Sequence, residues 1–267
     1  MKENVKLTDL VFLSDKRKKL LLFLKDKPRT MAEIQEHLST DPVSILPQIK
    51  KLKEGKLVVQ KEHTYELSLM GAVIADKMPP FLGTLEVLEE NFDYWTRRNI
   101  EGIPPFLRKR IFELKDCRLI LPEMIHMFEL NPEFVEKLHL STNVLAFASY
   151  FHPSFTTIYP ELAKKGVEIS LMLTEPVMQR FKKDYKEELC TFLNLENVRV
   201  FTFPRDAKIA DFTVTDRFFL LTLFSREKFF EHESLLSSEP EALKWGSDLF
   251  SYMLKEAIQV KKVELIL

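Results

Sequence analysis

Between Asp41 and Gly55 the residue types and spacing suit one kind of chemistry, the reading of base-pair edges. Ile45, Ile49 and Leu52 recur at intervals of four and three, so they share one helical face and point to a core. That leaves Ser44, Pro47, Gln48 and Lys51 facing outwards. A glutamine amide offers an adenine edge both an acceptor and a donor, and a serine hydroxyl can reach either base type. Lys50, Lys51 and Lys53 suit phosphates, which position a helix on DNA without reading its sequence. Lys16 and Arg17, at the start of an earlier helix, and Lys61 and His63, at a hairpin tip, are further backbone-contact candidates. Each lysine is equally consistent with a solvated helix face. Pro47 is out of place, because inside a helix it removes a hydrogen bond and bends the axis.

A second set of residues sits at predicted strand ends, where open α/β sheets take ligands. His152 and Ser154 follow the run Val144 to Ser149, Thr174 ends Val167 to Thr174, and Thr215 and Asp216 end Ala210 to Thr215. Together they could line an effector pocket. Taken singly, His152 could cap the turn before Pro153, and Asp216-Arg217 could simply turn a hairpin. No nucleophile–base pair and no metal-ligand spacing appears, so neither a catalytic residue nor a metal or cofactor is expected. His126 and His139 have no partner one helical turn away. Cys117 and Cys190 are far apart, and each reads as a small buried hydrophobe more readily than as a redox sensor.

The elements that must hold the first set are legible from caps. Ser14 precedes DKRKKLLLFLKDKP, with Leu20, Leu21, Phe23 and Leu24 as an apolar stripe. Thr30 precedes MAEIQEHL, with Glu33 in the capping-box position. Asp41 is the N-cap of the third helix and Pro42 its first residue. A turn at Gly55 leads to LVVQK, EHT and YELS, a two-stranded hairpin. Three short helices and a hairpin make an α+β winged helix-turn-helix, with a small helical bundle carrying a stray hairpin as the alternative. From Cys117 onwards strands alternate with helices. The expected helices are 133–138, 156–165 (ended by Gly166), 176–193 and 240–258, and the strands 117–121, 144–149, 167–174, 198–203, 210–215 and 218–224. This implies an α/β domain with a mixed or parallel sheet flanked by helices.

The organisation expected is therefore a DNA-binding domain over 1–77, a helical connector over 78–115 and an α/β effector domain over 116–260. The connector is interrupted twice by Pro-Pro. Its acidic stretch Phe81 to Asn99 carries Leu82, Leu85, Leu88, Phe92 and Trp95, which could build a dimer or pack on the chain's own body. Residues 1–80 hold 15 Lys+Arg against 11 Asp+Glu, although the whole chain has a net charge of -1, so the basic excess sits with the winged module. No apolar run is long enough for a signal peptide or a membrane span, so a cytoplasmic protein is expected. With only 6 Gly and no GxGxxG or GxxxxGK[ST], nucleotide loops are not expected.

The stretches FHPSF (151–155), ELAKKGVEISLMLTEPV (161–177), DFTVTDRFFLLTLF (211–224) and ALKWGSDLFSYM (242–253) resemble the middle, sensor-like domain of archaeal methanogenesis regulatory proteins. DPVSILPQIKKLKEGKLV is similar to that family's arsenical-repressor-like winged helix. The resemblance covers about 10 to 258. It implies a transcriptional regulator that binds double-stranded DNA, and no known effector. Operators are usually read by two-fold dimers, so a homodimer is expected, with a small-molecule effector possible. The strand–helix–KKGVEI–strand pattern also resembles phospholipase-D-like half-domains, which raises a phosphodiester or nucleotide hydrolase as the alternative. The HxK signature of that class is absent, since Pro153 and Ser154 follow His152. A protein-interaction module with a winged appendage is a third reading.

Overall fold

The computed structural model describes residues 6–122, 129–204 and 207–261, so His126 lies outside the described residues. The chain forms two compact units, Met1–Gly83 and Thr84–Leu267.

In the first unit, helices α1 (Leu7–Phe12), α2 (Asp15–Phe23), α3 (Met31–Leu38) and α4 (Pro42–Glu54) enclose one core. Strands β1 (Arg29–Thr30), β2 (Val58–Lys61) and β3 (Thr64–Leu67) form an antiparallel sheet in the order β1-β3-β2. Leu20, Leu21, Ile34, Ile45, Leu52 and Leu57 are fully buried in it. The expected caps are all made. Ser14 accepts from the Arg17 N–H, Thr30 and Glu33 form a reciprocal capping box, and Asp41 accepts from the Ser44 N–H at 2.8 Å. Each such cap stabilises its helix by about 1 kcal/mol. The module is a winged helix-turn-helix.

Two local expectations change. The left-handed residue ending α4 is Lys56 (φ 62), not Gly55 (φ -73). The Leu57 N–H bonds to the Leu52 carbonyl and the Lys56 N–H to the Lys53 carbonyl, the paired pattern of a Schellman cap. Nor does Pro79-Pro80 end a helix, because α5 runs unbroken from Leu69 to Glu90. Met78 and Leu82 pack into the core on either side of the prolines. That packing outweighs the hydrogen bonds the prolines remove.

The second unit is built on an eight-stranded sheet in the order β11-β7-β6-β5-β8-β9-β10-β4. The strands are β4 (Arg118–Ile120), β5 (Asn143–Ala148), β6 (Glu168–Thr174), β7 (Val198–Phe203), β8 (Ile209–Thr215), β9 (Phe219–Leu223), β10 (Ser234–Ser237) and β11 (Ile258–Gln259). Among the described residues β5, β6 and β7 run parallel and the other pairings are antiparallel, which gives a mixed sheet. On one face pack α8 (Pro132–His139), α9 (Phe155–Lys164), α10 (Glu175–Asp184) and α11 (Lys186–Leu193). On the other lie α12 (Pro240–Leu254), α6 (Phe92–Arg97) and α7 (Pro105–Arg108). Residues 84–115 of the stretch read as a connector thus supply Val87, Trp95, Ile103, Leu107 and Leu114 to a core shared with Trp245 and Leu249. The Trp245 indole N–H donates to the Leu107 carbonyl at 3.1 Å.

The α/β pattern holds, with three departures. The helix expected over 176–193 breaks at Tyr185, whose backbone is non-helical (φ -140, ψ 41). The last long helix ends at Leu254. Strands β10 and β11 were not foreseen, because SLLS and IQ are too short to show a period. Gly166 ends α9 as expected, with a φ of 89.

Candidate nucleic-acid interface and effector pocket

Helix α4 turns Ile45, Ile49 and Leu52 into the core, as their spacing predicts. Its opposite face is more apolar than expected. Val43 is 82% exposed and Leu46 46%, and Pro47, Lys50 and Lys51 are exposed beside them. Pro47 therefore sits on the outer surface, where the hydrogen bond it cannot make leaves the Val43 carbonyl open. Val43 and Leu46 were missed because exposed aliphatics look like core residues in a sequence. Their offset from Ile45, Ile49 and Leu52 around the helix was the available signal.

Ser44 and Gln48 lie on the flank of α4 and are already engaged. The Ser44 hydroxyl is 2.7 Å from that of Thr40 and accepts from Lys16 Nζ at 2.8 Å. Gln48 Oε1 accepts from an Arg17 guanidinium nitrogen at 2.7 Å. Arg17 is buried and also donates to the Leu10 and Asp9 carbonyls. The structure corrects the expectation that Arg17 faces a phosphate: it ties α1, α2 and α4 together. Lys53 donates to Gln60, and Lys61 pairs with Glu66. Lys50, Lys51 and His63 are exposed.

The second set of expected residues is not brought together. Ala148 pairs with Asp211 and Val144 with Thr215, so Thr215 and Asp216 lie at the opposite end of β5 from His152. Four residues of strand separate the two ends, about 13 Å. Thr215 accepts from the Arg217 and Phe218 N–H groups and turns the hairpin. Partial burial would raise the Asp216 pKa, but hydrogen bonds from the Thr142 and Asn143 N–H groups hold it below the usual carboxylate value. Thr174 is buried at the start of α10. His152 Nδ1 accepts from the Ser154 N–H at 3.2 Å, and its ring lies 5.6 Å from that of Phe155. None of the five residues lines the cavity described next; His152 reaches it only indirectly, through its ring contact with Phe155.

That cavity, about 260 Å³, opens on the α8–α9 side of the sheet. Its polar floor is a row cut across three strands. Asp211 on β8 stands opposite Thr222 on β9, and Thr222 stands opposite Ser234 on β10, with their hydroxyls 2.8 Å apart. Thr213 lies next along β8. Aromatic walls come from Tyr150, Phe155, Tyr159 and Phe230, and apolar ends from Ile120 and Leu220. Burial raises the Asp211 carboxyl from 3.8 to about 7, with only the Thr222 hydroxyl lowering it. Its Oδ1 is enclosed and has no hydrogen-bond partner. Burial, and then the neighbouring His152, lower the pKa of His232 on the rim. The rim segment alternates. Phe230 and His232 face the cavity, whereas Glu231 and Glu233 pair with the fully buried guanidinium of Arg98, Glu231 at 2.5 Å.

Sequence reasoning missed Asp211. The signal was present in DFTVT, where the polar residues of an otherwise buried strand fall on alternate positions. Cys117 is buried, and burial pushes its thiol up to about 12. Among the described residues no group of three or more His, Cys, Asp or Glu could hold a metal, and no helix is long and apolar enough to cross a membrane.

Comparison with known proteins gives this geometry a lineage. Residues 6–86 match the N-terminal domain, and residues 127–256 the middle domain, of the methanogenesis regulatory protein FilR1. The chain belongs to the FilR1 family of methanogenesis regulatory proteins. The FilR1 protein of Methanothrix harundinacea (strain 6Ac) is 23% identical over 261 residues, which is 96% of this chain and 58% of the relative. The chain thus spans little more than half the length of that FilR1 relative. Among solved structures, the archaeal chromatin protein TrmBL2 aligns over 95% of this chain and 97% of its own, at 12% identity and a TM-score of 0.44. The phosphatidylserine synthase of Haemophilus influenzae aligns over 55% and 40%, at 14% identity and a TM-score of 0.36. At these scores neither likeness bears on what the FilR1-type chain does.

Proposed function

We propose that this chain is a transcriptional regulator, not an enzyme, which binds double-stranded DNA through α4 and answers to an effector held in the second unit. The observation that carries the reading is the outer face of α4. Val43, Leu46 and Pro47 stand exposed there with Lys50 and Lys51, on a helix whose rear face is anchored by three buried residues and a cap. Aliphatic side chains on a groove-facing helix read thymine methyl groups, and the flanking lysines contact phosphates. Gln48 keeps its amide N–H groups for a base edge, while its oxygen holds Arg17. Lys16, Lys53, Lys61 and His63 surround this face as further phosphate contacts.

The DNA-binding form is a homodimer. Leu69 (91% exposed), Val73 and Phe81 on α5 are an apolar stripe that a second copy would cover. The effector biases DNA binding by preferring one conformation of the second unit. The ion pairs from Glu231 and Glu233 to Arg98 join the cavity rim to the end of α6 and provide a physical route. Fluorescence anisotropy with the duplex upstream of the chain's own gene, titrated across salt concentrations, tests the reading. Tight binding with a steep salt slope is expected, and Lys51→Ala should reduce that slope by about one. Absence of binding, or affinity indifferent to salt and sequence, would overturn it.

A further inference from the structure

We propose that the cavity of the second unit is a receptor for a small organic cation, an amine whose protonated nitrogen pairs with Asp211 and whose apolar body packs against Tyr150, Phe155 and Phe230. The inference rests on the effector reading above and gives that effector a chemical class.

Space comes first. At about 260 Å³ the cavity exceeds the roughly 150 Å³ that suffices for benzene in an engineered protein interior. A compact ring with a short side arm fits.

The charge of the lining sets the sign of the ligand. The described lining residues include two carboxylates, Asp211 and Glu129, and no lysine or arginine. An anion entering would meet no lysine or arginine among the described lining residues. His232 on the rim is held towards its neutral form by burial and by His152.

The floor supplies the recognition. Asp211 stands on the face of the sheet that elsewhere buries Val144, Ala146, Leu171 and Leu220. One of its oxygens is enclosed and unpartnered. An acidic group there is costly unless something pairs with it. Among the described residues no lysine or arginine lines this place, so an incoming ammonium is the natural complement. The Thr222 and Ser234 hydroxyls, already bonded to each other, extend the row for further N–H donors.

The walls complete the fit. Tyr150 and Phe230 lie with ring centroids 4.5 Å apart, and Tyr150 and Phe155 6.0 Å apart, which makes a partial aromatic enclosure. Aromatic faces attract a desolvated cation in addition to burying its carbon skeleton.

Thermal unfolding of the full chain at pH 8, followed by tryptophan fluorescence and without DNA, tests this. The probes are benzylamine, benzyl alcohol and benzoate, which share one ring and differ in charge. Benzylamine should raise the melting temperature by about 3–6 °C at roughly ten times its Kd. Benzyl alcohol and benzoate should give no comparable rise, and Asp211→Asn should abolish the benzylamine effect while leaving the protein folded. The proposal is overturned if no probe shifts the transition, if benzoate or benzyl alcohol shifts it equally, or if the Asp211→Asn protein still responds. Because the assay contains no DNA, failure here leaves the DNA-binding reading intact, and loss of DNA binding leaves this one intact.

Discussion

Replacing Asp211 by asparagine should make the protein more stable at alkaline pH and leave its stability little changed in acid. In the unfolded chain the carboxyl titrates at its ordinary value of 3.8, and in the fold burial raises it to about 7. Below 3.8 both states hold the proton and nothing is lost. As the pH rises from 3.8 to 7 the unfolded chain releases the proton while the folded one keeps it, so stability falls. Above 7 the full penalty applies. The gap between 3.8 and about 7 corresponds to about 4 kcal/mol. Water entering the cavity on one side of the carboxyl reduces this to about 2–3 kcal/mol. Asparagine keeps the shape and carries no charge at any pH. Both tryptophans, Trp95 and Trp245, lie in the second unit, so urea unfolding followed by their fluorescence reports that unit alone. The Asp211→Asn protein should gain about 2–3 kcal/mol over the parent at pH 8 and almost nothing at pH 4. An equal difference at both pH values, or a loss at pH 8, would refute the argument that the half-buried Asp211 carboxyl is held against its own charge.

Three further outcomes follow from geometry already described. Lys56→Gly should stabilise the first unit by about 1 kcal/mol in chemical denaturation, because glycine adopts the left-handed position of that cap without the Cβ penalty. Gln48→Ala should destabilise the first unit by about 1–3 kcal/mol, since it leaves a buried Arg17 nitrogen without its acceptor; an unchanged urea midpoint would show that the clamp is idle. Titration with a thiol-reactive dye should find one reactive cysteine per native chain, Cys190, and two after denaturation, because burial keeps Cys117 protonated.

The local fold was legible where side chains and backbone state the same thing. Ser14, Thr30 and Asp41 announce helix starts through hydrogen bonds that span three residues, and Ile45, Ile49 and Leu52 orient α4 through spacing alone. Both signals are short-range and survive in a bare sequence. What failed was set by distance. Pro79-Pro80 looked like a break because the core contacts of Met78 and Leu82 that carry α5 through are tertiary. Arg17 looked like a surface cation because its three acceptors come from Asp9, Leu10 and Gln48 on other elements. Thr215 and Asp216 were grouped with His152 because each ends a strand, and strand direction was the missing fact. β8 runs antiparallel to β5, so the residues beside the His152 end are those near the start of β8. Asp211, paired with Ala148, is one of them.

The row Asp211, Thr222 and Ser234 also marks time. Selection for a well-packed sheet alone would replace these three by aliphatic residues, since stabilising substitutions at such positions are easily reached. A lineage released from its ligand should therefore lose the carboxylate first and the hydroxyls after it, while Phe147 and Trp245 on the other face stay fixed by packing. On the proposed ligand reading, the residue at this position across FilR1-type chains should therefore separate cavities that still take a cation from those that no longer do.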